Sequence, residues 1–238
     1  MSTLGVKSQA GSFSAEQVAT ETRHFLVRVY MWMGGGLALT GITAAALGSQ
    51  RDLVMGMLRT PFLFYGLLMA ELLMVWSFAR MVSRVTATVA AAMFLGYAFL
   101  NGITFSIIFL VYARSSIAGT FAVTAGAFAG LSAYGAITKR DLSGWGSFLF
   151  MGLWGLVIAG VVNLFLGSGM LDWVCSCVGV VVFTGLTAYD TQKIIKLNRI
   201  GNEGTDEDTR EAIHGALVLY LDFINLFLDL LRLFGSRR

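Results

Sequence analysis

The sequence predicts an all-α membrane protein built as a bundle of seven transmembrane helices. Two observations carry that prediction. The 238 residues are 56% hydrophobic and only 13% charged, with a mean hydropathy of +0.73, against about 25% charged residues in a soluble domain. The few charges are also gathered into short segments. Residues 29–50, 85–113, 115–138, 142–171 and 173–189 contain none, 60–79 contains only Glu71, and 212–234 contains Asp222, Asp229 and Arg232. A bilayer core asks for about 20 mostly apolar residues per helix.

The spans fall near 26–48, 60–79, 86–112, 116–137, 146–168, 172–193 and 212–234. Residues 1–24 read as a polar cytoplasmic segment, and 25–238 as a single transmembrane domain. The start of the chain lacks the short apolar core and cleavage site of a signal peptide, so the first hydrophobic helix is expected to serve as its own targeting signal. The lone proline, Pro61, leaves the other helices free of proline kinks. Gly126 and Gly130 give one GxxxG spacing, which suggests close helix packing. The link between the sixth and seventh helices holds Glu203, Asp206, Glu207, Asp208 and Glu211. It reads as a solvated acidic loop in which Asp208 or Thr209 caps the last helix.

Lysine and arginine counts orient the chain. Lys7, Arg23, Arg28, Arg80, Arg84, Lys139, Arg140, Lys193, Lys196, Arg199 and Arg210 lie on one side, and Arg51, Arg59, Arg114, Arg232, Arg237 and Arg238 on the other. The excess places the N-terminus in the cytoplasm, and seven spans then place the C-terminus outside.

Several function classes are unsupported. No clustered basic face suggests nucleic acid. Cys175 and Cys177 stand two apart in an apolar run, a spacing that does not suit a disulfide within one helix. The only histidines, His24 and His214, are far apart, which supports neither zinc nor a Ser-His-Asp triad. The last helix has no lysine for a retinal Schiff base. An intramembrane aspartyl protease would share the Tyr189–Asp190 pair, but Asp222 sits in "LYLD" where those enzymes carry Gly-x-Gly-Asp, and no Pro-Ala-Leu is present. The chain is therefore read as a non-enzyme without a resident cofactor.

The membrane aspartates carry the chemistry. Asp190, near the end of the sixth helix, and Asp222, about ten residues into the seventh, enter from the same side and can meet. Two carboxyl groups in a low-dielectric bundle share a proton, because both cannot comfortably ionise. The shared proton ties two helices; its loss leaves like charges that repel or recruit a cation. Asp222, Asn225 and Asp229 fall at i, i+3 and i+7, a polar stripe on one helix face. The same aspartates would also serve a simple structural lock. Glu71 reads equally as a pathway carboxylate or as a partner of Arg80. Asn101, Thr104, Ser106 and Asn163 are expected to form interhelical hydrogen bonds.

"GLTAYDTQKI" followed by "LYLDFINLFLDLLRLFG" resembles the Bax inhibitor family (the transmembrane BAX inhibitor motif family), and "VYMWMGGGLALTG" and "FLNGITFSIIFLVY" resemble its bacterial members. The resemblance runs from about residue 24 to the end. It implies six helices around a central seventh, and a pH-sensitive calcium leak with Asp190 and Asp222 as the proton sensor. Calcium is then a permeant ion bound weakly and transiently at the pair, since two aspartates fall short of the 6–8 oxygens it prefers. The resemblance also implies an arginine latch near the second helix, with Arg80 and Arg84 as candidates. Asp229 stands where many members carry a neutral residue. The expected setting is a bacterial inner membrane, with protons, calcium and lipid as partners. The alternative is a non-transporting regulator of stress response or membrane-protein quality control, acting through membrane-protein partners.

Overall fold

The computed structural model describes residues 13–237. Residues 1–12 and Arg238, and with them the orienting charges Lys7 and Arg238, lie outside the described residues. The elements are α1 (Ala15–Gly48), α2 (Arg51–Arg59), α3 (Pro61–Met81), α4 (Ala87–Phe105), α5 (Ile108–Val111), α6 (Arg114–Ile137), α7 (Ser143–Leu166), α8 (Gly169–Leu197) and α9 (Asp206–Phe234). Among the described residues the one β-type contact is an isolated bridge between Tyr112 and Arg237.

The chain is a multi-pass membrane protein. Six stretches, α1, α3, α4 with α5, α6, α7 and α8, are long and apolar enough to cross a bilayer. Helix α9, most of whose second half is buried within the bundle, is not among them. Four local features differ from the sequence reading. Helix α1 starts at Ala15, about three turns before residue 26, because Ser14 and Gln17 form a reciprocal capping box. The short amphipathic helix α2, with Val54 and Met57 buried, occupies what reads as a connection. The third predicted span divides at Ser106–Ile107, where the Ser106 hydroxyl turns back onto the Ile103 carbonyl. Helix α9 is capped by Thr205, which accepts from the Asp208 N–H, and not by Asp208 or Thr209. Pro61 sits at the first turn of α3, where its missing N–H costs nothing.

Helix α9 packs on α1, α4, α6 and α8, whereas α3 packs on α2 and α4, and α7 on α8. Helices α3 and α7 are accordingly the least buried spans and turn apolar side chains such as Phe62, Leu72, Met151 and Phe165 outward. The GxxxG expectation is corrected. A Cβ added at Gly126 or Gly130 meets nothing within 4 Å, so no helix approaches there. The close approach is at Gly135 of α6, where a Cβ would lie 2.3 Å from the Ala188 carbonyl oxygen of α8. Only glycine lets those two backbones touch.

Candidate functional site

Asp190 lies seven residues (197 − 190) before the end of α8, about 10 Å along the helix. Asp222 lies 16 residues (222 − 206) after the start of α9, about 24 Å along it. The tight α8–α9 packing, with the intervening loop folded back, brings their carboxyl groups within hydrogen-bonding reach of each other. Asp222 is only 5% exposed. Among the described residues its buried Oδ2 receives no N–H or hydroxyl donor. Its neighbour across the helix interface is the Asp190 carboxyl of α8.

Two cavities reach Asp190, and one of them also reaches Asp222. One, of about 600 Å³, opens at the end of the bundle that carries the α8–α9 loop and is lined by Asp190, Lys193, Arg210 and His214. The other, of about 520 Å³, lies between α7, α8 and α9 and is lined by Asp190, Asp222 and Asn225. Asn225 itself donates to the Leu221 carbonyl. Its side chain therefore stands at the cavity wall beside Asp222 while being held by its own helix.

The candidate latch residues are elsewhere. Arg80 lies over the Trp76 ring, 4.1 Å from its centroid, and Arg84 is exposed in the α3–α4 link. Among the described residues neither forms an ion pair. The cations that share a cavity with Asp190 are Lys193, Arg199 and Arg210. Glu71 is not paired with Arg80; it accepts a hydrogen bond from the Thr104 hydroxyl, which joins α3 to α4. Thr104 is thus the one interhelical donor among the four polar residues named for that role. Ser106 bonds its own helix, Asn163 accepts from the Ser168 N–H just beyond α7, and Asn101 is the neighbour of Tyr97 one turn back.

Asp229 is 7% exposed and faces α8, not lipid. Gly179 of α8 makes room for it: a Cβ there would lie 2.0 Å from the Asp229 Oδ2. Ser176 contacts the same carboxyl, and Arg232 reaches it at 3.4 Å from one turn along.

Two networks escape sequence reasoning. Tyr30 donates to Ser132 at 2.8 Å, and Ser132 bonds Thr191 at 2.8 Å, which links α1, α6 and α8 one residue past Asp190. Thr191 therefore points toward α6. The acidic loop is not merely solvated. Asp208 is 1% exposed, accepts from Arg28 of α1 and from the Gly204 N–H, and Asp206 accepts from the Ala87 N–H at the start of α4. Spacing holds no signal for pairs about 180 residues apart. Arg28 at the end of a polar helical turn facing an acidic loop was the only hint.

An all-helical, multi-pass membrane protein with two facing aspartates on its last two helices is the class that this fold and site define. The chain belongs to the Bax inhibitor family: the family model described as "Inhibitor of apoptosis-promoting Bax1" matches residues 22–238. It is 47% identical over 216 residues to "Inner membrane protein YbhL" of Escherichia coli (strain K12), covering 90% of this chain and 92% of that protein. A protein of Deinococcus radiodurans is 42% identical over 235 residues, covering 98% and 99%. A third, from Borreliella burgdorferi, is 41% identical over 214 residues, covering 90% and 92%.

Proposed function

We propose that the protein is a pH-sensitive calcium leak of a bacterial inner membrane, gated by protonation of Asp190 and Asp222. The observation that carries this reading is the pair itself: two carboxyl groups from different helices in mutual reach, in a cavity lined by both, with a second cavity reaching Asp190. With one proton between them, the pair ties α8 to α9. Loss of that proton leaves two like charges in a poorly hydrated site, which loosens the tie and favours a divalent cation. Asp190, Asp222 and the Asn225 side chain give a cation only part of the oxygen shell it wants. Water completes it, so binding is transient, as conduction requires. Calcium is then cargo, and no resident cofactor or catalytic step enters.

In the proposed arrangement α9 is a seventh span at the centre, packed on α1, α4, α6 and α8. The polar residues of a span are tolerated where protein or a water-filled cavity surrounds them, and the burial of Asp222 and Asp229 fits that. The lysine and arginine excess supports a cytoplasmic N-terminus, and the relative named as an inner membrane protein supports the location. The test is calcium entry into liposomes that hold the purified protein, against empty liposomes. Entry above the empty control supports the leak. Its absence would make the aspartates a structural lock and favour a regulator that acts through membrane-protein partners.

A further inference from the structure

Each aspartate of the pair is backed by a hydrogen-bonded anchor on another face of its helix. Tyr220 is fully buried and stands two residues before Asp222, about 200° around α9. Its hydroxyl lies 2.7 Å from the Thr40 hydroxyl of α1. Thr40 has one hydrogen, and two carbonyls compete for it, Ala98 of α4 at 2.8 Å and Gly36 of α1 at 3.0 Å. Carbonyls only accept, so Tyr220 is the donor. Phe94 and Tyr97 of α4 hold the Tyr220 ring edge-on, each with centroids 5.8 Å away. The base of this anchor is firm: a Cβ added at Gly102 of α4 would lie 2.9 Å from the Thr40 carbonyl oxygen.

Asp190 has its counterpart on α8. Thr191, the next residue, donates to the Thr187 carbonyl at 2.7 Å. Its oxygen therefore receives the Ser132 hydroxyl of α6, and Ser132 receives the Tyr30 hydroxyl of α1. Ser132, Thr187 and Thr191 are buried. One turn along α6, Gly135 brings its backbone against Ala188 of α8. Both hydroxyl chains thus end on α1, at Tyr30 and at Thr40. Helix α1 is the common frame behind the two carboxyl groups. Neither α8 nor α9 can draw back from the other without straining one of the chains.

We propose that Tyr220 and Tyr30 are positioning residues, whose hydroxyls set the separation of the Asp222 and Asp190 carboxyl groups by tying α9 and α8 to α1. The proposal rests on the reading of that pair as a proton-sharing site. The titratable and charged groups beside the pair are Tyr189 and Lys193 of α8 and, in the larger cavity, Arg199, Glu207, Arg210, Glu211 and His214. Those beside Tyr220 are Tyr97 and Glu71. Loss of either tyrosine hydroxyl leaves all of these in place, so a changed titration of the pair reports its spacing.

The test is infrared titration of the purified protein in lipid, following the carbonyl band of protonated carboxyl groups that wild type shows and Asp222→Asn lacks. Tyr220→Phe and Tyr30→Phe each remove one hydroxyl and keep the ring. Tyr134→Phe, at an exposed site of α6, is the control. The proposal expects the midpoint of that band to move by roughly half to one pH unit in both variants, the worth of one hydrogen bond. The control stays at the wild-type midpoint. A merely structural role would lower the melting temperature and leave the midpoint alone. The measurement needs no ion flux, so a shifted midpoint in a protein that passes no calcium would sustain the positioning and fail the leak reading alone. Midpoints that coincide with wild type in both variants, or a wild-type spectrum without such a band, would overturn the proposal.

Discussion

Arg28 of α1 and Asp208 of α9 meet with a guanidinium nitrogen 2.7 Å from a carboxylate oxygen, and the aspartate is 1% exposed. The pair joins the first and last long helices across 180 residues of sequence (208 − 28). Asp208 also accepts the Gly204 N–H, so the carboxylate is fixed by the loop as well as by the arginine.

Removing Arg28 leaves Asp208 buried without its charge partner. Breaking such a pair costs about 3–5 kcal/mol when both ions are buried. Arg28 is a quarter exposed, so Arg28→Ala should cost about 3 kcal/mol, at the low end. Arg199 pairs with Glu207 at the surface, 67% and 42% exposed, and Arg199→Ala should cost less than about 1 kcal/mol. Thermal unfolding in detergent micelles compares the two. Equal shifts would mean the buried pair contributes no more than a surface one.

Gly135→Ala should be strongly destabilising, because the new methyl would press on the Ala188 carbonyl and force α6 from α8. Overpacking of this kind costs about 1–3 kcal/mol. Gly126→Ala and Gly130→Ala meet open space and should leave unfolding unchanged or slightly raised. The same unfolding assay ranks the three. A loss at Gly126 or Gly130 equal to that at Gly135 would restore the GxxxG pair as a packing motif.

At the loop between α6 and α7, the Lys196 ammonium and the Ser143 hydroxyl and N–H hold the Asp141 carboxyl below the ordinary range, at about 2. A depressed carboxylate stabilises the fold above its unfolded value and loses that contribution only as pH falls through the folded value. Asp141 is therefore ionised throughout the neutral range. Any difference in unfolding temperature between wild type and Asp141→Asn should stay constant from pH 5 to 8. A difference that changes within that window would show that Asp141 titrates there and contradict the staple.

Asp229→Asn keeps the size of a side chain that fits over Gly179, and the protein should fold as wild type does. Gly179→Leu fills the same space from the α8 side and should prevent stable folding. Size-exclusion profiles in detergent separate the outcomes. A monodisperse Gly179→Leu protein would mean that Asp229 has room to leave the α8–α9 interface.

Six of the spans were legible because charge-free stretches of bilayer length have no soluble counterpart, and the approach of Asp190 to Asp222 was legible because both residues enter from one side on successive helices. Other features depended on partners far away in sequence. The Arg28–Asp208 pair, the Tyr30–Ser132–Thr191 chain and the Gly135–Ala188 contact each join elements whose adjacency no local pattern records. The polar stretch at Ala15–His24 reads as a tail by composition, yet the reciprocal Ser14–Gln17 capping box starts a helix there. Arg80 near the second span resembles a latch by position, but the adjacent Trp76 ring gives its guanidinium a nearer partner.

The central claim is that the proton shared by Asp190 and Asp222 controls ion passage. Calcium entry into proteoliposomes, followed from pH 6 to 8 for wild type and Asp222→Asn side by side, tests it most directly. The account predicts a wild-type leak that rises as the pair loses its proton, and a substituted protein whose leak no longer follows pH. Wild-type liposomes that match empty ones at every pH, or an Asp222→Asn profile that overlays wild type, would contradict it.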